Sequence, residues 1–304
     1  MAVSTNSGVH RLAVATSGFT ILLLMAGALV TSNDAADSVP DWPLAYGKII
    51  PPLVGGIRYE FTHRVVAAIV AILTLTLAIW LSRVEKRPAV RRLGWTALAL
   101  VVAQALLGAA RVLLGHPPVI ATIHATVAQV FFITTVALAV LTSAWSLQDH
   151  ATLEDSGSPR VRILAHCTTY IILLQLILGA GFRHGAFGIL PHLIGFVAVT
   201  VFVIWTARIA KKRFGNVPEI RRSVVWLHAT FGTQVVLGVA AYWAVAKAIN
   251  EAQPTLPYVI LTVAHVLVGA LVLASSVILT LICNRLLRPS GAVQLSSETS
   301  RAAI

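Results

Sequence analysis

Cysteine is scarce: Cys167 and Cys283 are the only two in 304 residues. They lie far apart and in no metal-ligand spacing, which excludes a thiolate zinc or iron–sulfur centre and a disulfide framework. Charge is also thin, with 11% charged residues against 57% hydrophobic and a mean hydropathy of +0.84. That balance excludes a soluble domain with a wetted surface. No small-residue cleavage site precedes the first polar loop, so the first apolar run reads as a retained span and not as a signal peptide. Prolines are missing from the middles of the apolar runs; Pro40, Pro43, Pro51, Pro52, Pro117, Pro118, Pro254 and Pro257 cluster at their ends instead. This pattern argues against the broken midplane helices of a transporter.

What is present is apolar chain in lengths that suit a bilayer. Eight runs, near 11–31, 62–82, 93–114, 119–146, 162–182, 190–209, 222–246 and 256–285, approach the roughly 20 residues a membrane helix needs. The fold class is therefore an all-α integral membrane protein with eight transmembrane helices and little chain left for a separate soluble domain. The net charge of +12 does not point to nucleic acid, because the basic residues gather in alternate connections. Arg83, Lys86, Arg87, Arg91 and Arg92 follow the second run, and Arg208, Lys211, Lys212, Arg213, Arg221 and Arg222 follow the sixth. The positive-inside rule puts those connections and both termini in the cytoplasm of a cell-membrane protein. The Ser- and Ala-rich tail after Pro289 reads as disordered.

The chain repeats itself. QALLG (Gln104 to Gly108), QLILG (Gln175 to Gly179) and QVVLG (Gln234 to Gly238) stand on the third, fifth and seventh runs, and the first run keeps only the glycine, Gly27. Aligning the halves sets His63 against His192 on the second and sixth runs, and His124 against His265 on the fourth and eighth. The expected architecture is two pseudo-symmetric four-helix bundles, residues 1–148 and 149–304, related by an axis along the membrane normal. Each bundle then carries two histidines near its outer end, the arrangement bis-imidazole ligation of a heme iron requires. A single histidine in a membrane helix is as often a satisfied polar residue; two equivalent pairs favour a heme or another metal. The repeated glycines leave room for a porphyrin plane or a close helix contact. His10 and His150 read as solvated, His166 and His228 lie in the wrong layer, and His116 and His184 fall in outer loops.

The halves differ at one place. Glu60 and Arg64 bracket His63 in EFTHR, whereas their counterparts beside His192 are Ile189 and Leu193. Glu60 lies three residues before His63, on the same helix face and one turn outward. Arg64 suits a heme propionate. A plain helix-start ion pair, with the glutamate favoured by the helix dipole, explains the same spacing. The first outer connection is also long where its counterpart, GFRHGAFGIL, is short, as a lid or docking surface would be.

The eight-helix plan, EFTHR, the three further histidines and the Asp41-Trp42-Pro43 triplet of the first loop together resemble the heme A synthase family, over nearly the whole chain from about Arg11 to Arg288. The resemblance implies an oxidoreductase of cytochrome oxidase assembly that converts the C8 methyl of heme O to a formyl group by successive hydroxylation and loss of water. It implies that His192 and His265 ligate a permanent heme b, that His63 and His124, with Arg64, hold the substrate heme, and that Glu60 is the functional carboxylate. It implies contacts with a heme O synthase and with oxidase assembly, and a quinol or other electron donor. Many family members carry a cysteine pair in the first outer loop, and this chain has none there. Two readings from other classes account for the histidines as well: a diheme electron carrier of the cytochrome b type, and a heme-binding assembly factor without turnover.

Overall fold

Backbone amides have no water to bond in lipid, so apolar chain of this length closes its hydrogen bonds within helices. The computed structural model describes residues 7–289, and the expected disordered tail lies outside them. Its helices are α1 (Ser7–Ser32), α2 (Ile57–Val84), α3 (Pro88–Leu113), α4 (Pro118–Leu141), the short α5 (Ala144–Leu147), α6 (Val161–Arg183), α7 (Leu190–Phe214), α8 (Pro218–Ala248) and α9 (Leu256–Leu286). Among the described residues, all but α5 are long and apolar enough to cross a membrane, giving eight candidate spans. The protein is an all-α, multi-pass membrane protein. Proline within the first two positions starts α3, α4, α7, α8 and α9, where its missing N–H costs nothing.

Helix ends differ from the sequence reading by up to five residues, and two of the differences have a local cause or bear on the site. The fourth apolar run does not continue to 146: α4 stops at Leu141, and Ser143 starts a new turn by accepting from the Ser146 amide. The adjacent Thr142 and Ser143 hydroxyls bond back to the Leu138 and Val140 carbonyls, a local competition with helix propagation that favours a break. The second helix begins at Ile57, five residues before the apolar run, so EFTHR sits wholly inside its first two turns. Elsewhere in the spans, threonine hydroxyls settle on carbonyls one turn back, as Thr20 does on Thr16 and Thr74 on Val70.

Helices α1, α2, α3 and α4 pack in a closed ring, each against the next and α1 against α4; α6, α7, α8 and α9 do the same. One buried cluster fills each ring, around Val70, Leu77 and Phe131 in the first and Val203, Leu227 and Leu273 in the second. The rings meet where α1 and α4 lie on α9 and where α4 lies on α6. Phe132 is buried there against Ala270 and Ala274, and the Ser32 and Thr262 hydroxyls share a 2.8 Å hydrogen bond. Large apolar side chains on the far sides, such as Val239 and Trp226, are exposed as lipid-facing residues are. On the arginine-rich face a parallel pair of three-residue strands, β1 (Leu153–Asp155) and β2 (Leu287–Pro289), ties the connection between the rings to the end of α9. The buried Asp155 carboxylate accepts the first amides of α6, from Val161 and Arg162.

Candidate functional site

The four histidines on α2, α4, α7 and α9 all lie within the first three turns of their helices. They therefore form one layer toward the face that carries the long 33–56 loop. Each rests on a glycine of the preceding long helix. A Cβ placed on Gly27 would come 3.1 Å from His63 Cε1, on Gly108 3.6 Å from His124, on Gly179 2.9 Å from His192 and on Gly238 3.1 Å from His265. The repeated glycine is thus a shelf under an imidazole, and its lack of a side chain sets the ring's position. The glutamine one turn earlier reaches the same histidine. Gln104 donates to the His124 carbonyl at 3.1 Å, Gln175 to the His192 carbonyl at 2.9 Å, and the Gln234 amide lies 3.3 Å from His265 Nε2. In α1 the corresponding position is Leu23, so His63 has no such partner.

The donor set fits bis-imidazole ligation. His192 and His265 have ring centroids 6.4 Å apart at 80°; two imidazoles bound to one metal through bonds of about 2 Å put their ring centres about 6 Å apart. Nδ1 of His63, His124 and His265, and Oε1 of Gln175 and Gln234, are buried without a hydrogen-bond partner. Buried polar atoms are normally satisfied, and a ligating imidazole typically donates its second N–H to a neighbouring oxygen. The glutamine atoms that approach these rings are the side-chain amide nitrogens, with Gln175 Nε2 3.1 Å from His192 Nδ1 and Gln234 Nε2 3.3 Å from His265 Nε2.

At the edge of His63 the carboxylate is held from two sides. Glu60 Oε1 accepts from Arg64 Nη2 at 2.6 Å, and Oε2 accepts the Val39 amide at 3.0 Å. Arg64 also donates through Nη1 to the carbonyls of Asp41 and Leu44, both at 2.9 Å. Asp41 in turn folds its own loop by accepting the Tyr46 and Gly47 amides. The Gly47 amide foremost, against a small opposing cost of burial, holds its carboxyl below the usual value of 3.8. The Asp41-Trp42-Pro43 triplet and EFTHR are therefore one unit. Ile189 and Leu193 occupy the matching places beside His192.

A group of polar residues that no local pattern joined lies on the same face: Arg111 and His116 with Arg183 and His184, around a cavity of about 260 Å3. Arg183 is the residue the sequence reading passed over. Its signal was available, since Arg111 and Arg183 follow the Gln-x-x-x-Gly motifs of α3 and α6 on the side where Lys and Arg are sparse. Cys167 and Cys283 are free thiols.

A family model described as cytochrome oxidase assembly protein (COX15-CtaA) matches residues 4–136. The chain is similar to the heme A synthase of Shouchella clausii, 37% identical over 39% of this chain and 40% of the relative. It is similar to that of Lysinibacillus sphaericus, 34% identical over 42% and 43%. It is also similar to that of Symbiobacterium thermophilum, 28% identical over 75% of this chain and 84% of the relative. The chain spans about two-fifths of the length of the first two relatives. The family-model match includes EFTHR and covers less than half of the chain, and the Symbiobacterium alignment covers 75% of the chain at 28% identity.

Proposed function

We propose that the protein is a heme A synthase, a membrane oxidoreductase that oxidises the C8 methyl of heme O to a formyl group for cytochrome oxidase assembly. The observation that carries this is the asymmetry of the histidine layer: four imidazoles in matching settings, of which only His63 has a carboxylate at its edge. An electron carrier with two permanent hemes has no use for that difference.

In this reading residues 1–148 form the substrate half, where His63 and His124 would hold heme O. Residues 149–304 form the cofactor half, where His192 and His265 ligate heme b. Bound there, heme b supplies one-electron transfer. Gly27, Gly108, Gly179 and Gly238 fix the imidazoles, and the Gln175 and Gln234 amide nitrogens contact the His192 and His265 rings. Glu60, beside His63, would move a proton at the reacting edge through Oε1 or Oε2. Arg64 orients that carboxylate and closes the Asp41 loop over it, which keeps water from the reacting edge. In this reading the histidine layer faces the outside of the cell membrane and both termini lie in the cytoplasm, which the distribution of Lys and Arg supports. A heme O synthase would deliver the substrate; with dioxygen as the oxidant, each hydroxylation would place one oxygen atom on the methyl carbon and release the other as water, using two electrons from a quinol or similar donor.

The test is expression with and without a heme O synthase, in a host lacking its own heme A synthase, followed by chromatography and mass measurement of the extracted hemes. Heme A, or its hydroxylated precursor, appears only with the partner enzyme. Heme b alone, unchanged by the partner, overturns the proposal in favour of an electron carrier.

A further inference from the structure

Two arginines from different four-helix rings meet at one cavity. Arg111 near the end of α3 and Arg183 at the end of α6 line it together with Thr31, Asp37, His116 and His184. Arg111 is three residues beyond Gly108 and Arg183 four beyond Gly179. At 1.5 Å per residue each stands about 5 Å from its histidine shelf, toward the long-loop face.

Neither arginine has an acid partner within ion-pair distance among the described residues. Arg183 gives Nη2 to the Ala28 carbonyl and the Ser32 hydroxyl. Arg111 makes no side-chain hydrogen bond among the described residues, and its Nε is buried and unpartnered. Asp34 and Asp37 stand at the exposed rim, and Asp37 is already paired with His116 Nδ1 at 2.7 Å. The His184 imidazole, just past α6, is pushed down to about 4 by burial and then by Arg111 and Arg183, so it adds no charge at neutral pH. Glu60 and Asp37 act on Arg111 only from beyond ion-pair distance, and a half-buried guanidinium without an ion-pair partner is costly. Two of them on one cavity make a built receptor for carboxylates, whose geometry matches the guanidinium fork. Arg111 also lies within electrostatic reach of His63 and His124, and Arg183 within reach of His265.

We infer that this cavity binds the propionate carboxylates of the tetrapyrroles, Arg111 serving the group held by His63 and His124 and Arg183 the group held by His192 and His265. The inference rests on the tetrapyrrole reading of the four histidines. The two propionates are the only charged substituents of such a ring, so an arginine one turn from its axial ligand is placed to read them. A free phosphate or a lipid headgroup has related anionic chemistry, and the experiment separates these sources.

The full-length chain, purified in detergent from heme-starved cells, is titrated with iron protoporphyrin IX and with its dimethyl ester, which keeps the ring and removes the charges. The bis-imidazole absorption band reports occupancy. The wild type prefers the free acid by at least about tenfold, as a charge-assisted hydrogen bond gives. Arg111→Gln and Arg183→Gln each lower that preference by about tenfold and leave ester affinity unchanged, Arg111→Lys restores part of it, and inorganic phosphate does not compete. Equal binding of acid and ester by the wild type, or a preference that survives in the double Gln variant, overturns the inference while leaving the histidine sites intact. Loss of ester binding in the Gln variants also overturns it, because the arginines then hold the fold. Competition by phosphate assigns the cavity to a free anion instead. If neither compound gives the bis-imidazole band, the reading of the histidines fails and this inference falls with it.

Discussion

Arg64 Nη2 sits 2.6 Å from Glu60 Oε1 while the Nη1 of the same guanidinium holds the Asp41 and Leu44 carbonyls. One side chain thus joins the carboxylate at the His63 edge to the loop that covers it. The pair is more than a helix-start ion pair, because Glu60 is buried and its other oxygen takes the Val39 amide.

Glu60→Ala leaves the Arg64 fork and the Val39 amide without their shared acceptor. Breaking a mostly buried pair costs about 3 kcal/mol, and the 33–56 loop loosens. Limited proteolysis of that loop in detergent measures this: Glu60→Ala is cut faster than wild type, and Glu60→Gln, which keeps an acceptor for Val39, falls between. Equal cleavage of all three proteins would contradict the anchoring.

The glycine shelves give a graded series. An added Cβ meets the imidazole at 2.9 Å at Gly179, at 3.1 Å at Gly27 and Gly238, and at 3.6 Å at Gly108. Gly179→Ala therefore displaces His192 most and lowers bound heme most, whereas Gly108→Ala falls in ordinary van der Waals contact and is tolerated. Heme per protein by absorbance gives the order; a larger loss at Gly108 than at Gly179 sinks the shelf interpretation.

Gln175→Leu and Gln234→Leu remove the side-chain amides that contact the His192 and His265 rings. Loss of such an outer partner typically weakens a metal site 10- to 100-fold, read here as faster heme loss to apomyoglobin. Gln104→Leu acts less, because Gln104 reaches only the backbone of His124.

The Asp41 loop carries its own pH dependence. Its carboxyl, held low chiefly by the Gly47 amide, titrates below 3.8 in the folded chain. The stabilisation is therefore complete above the unfolded value and is lost as pH falls through the lower folded one. Protease resistance of the loop should hold at pH 5 and drop only in stronger acid. Asp41→Asn weakens resistance at pH 5 and flattens the acid dependence.

Much of this was legible in the chain because lipid imposes a simple rule of about 20 unbroken apolar residues. Element edges were less so: the Arg58, Tyr59 and Glu60 turn is helical although it is not apolar, and Thr142 with Ser143 ends α4 inside an apolar run. The four histidines emerged from comparing the halves. The spacing of Glu60 and Arg64 marked them as neighbours, yet nothing local showed that Val39 and Asp41 complete the unit. The glycines read as room for a ring plane or a close helix contact, and in the fold they abut the imidazoles of the next long helix. The meeting of Arg111 with Arg183 was hidden because it depends on how the ends of α3 and α6 come to line one cavity, which no repeat or periodicity encodes.

The division of labour between the halves is tested most directly by histidine variants coexpressed with a heme O synthase in a host lacking its own heme A synthase, with the bound hemes extracted and identified. His63→Ala and His124→Ala should retain heme b and lose heme O and heme A, while His265→Ala should lose heme b and make no heme A. If variants in the two halves lose the same heme, or if His63→Ala still yields heme A, the account is contradicted.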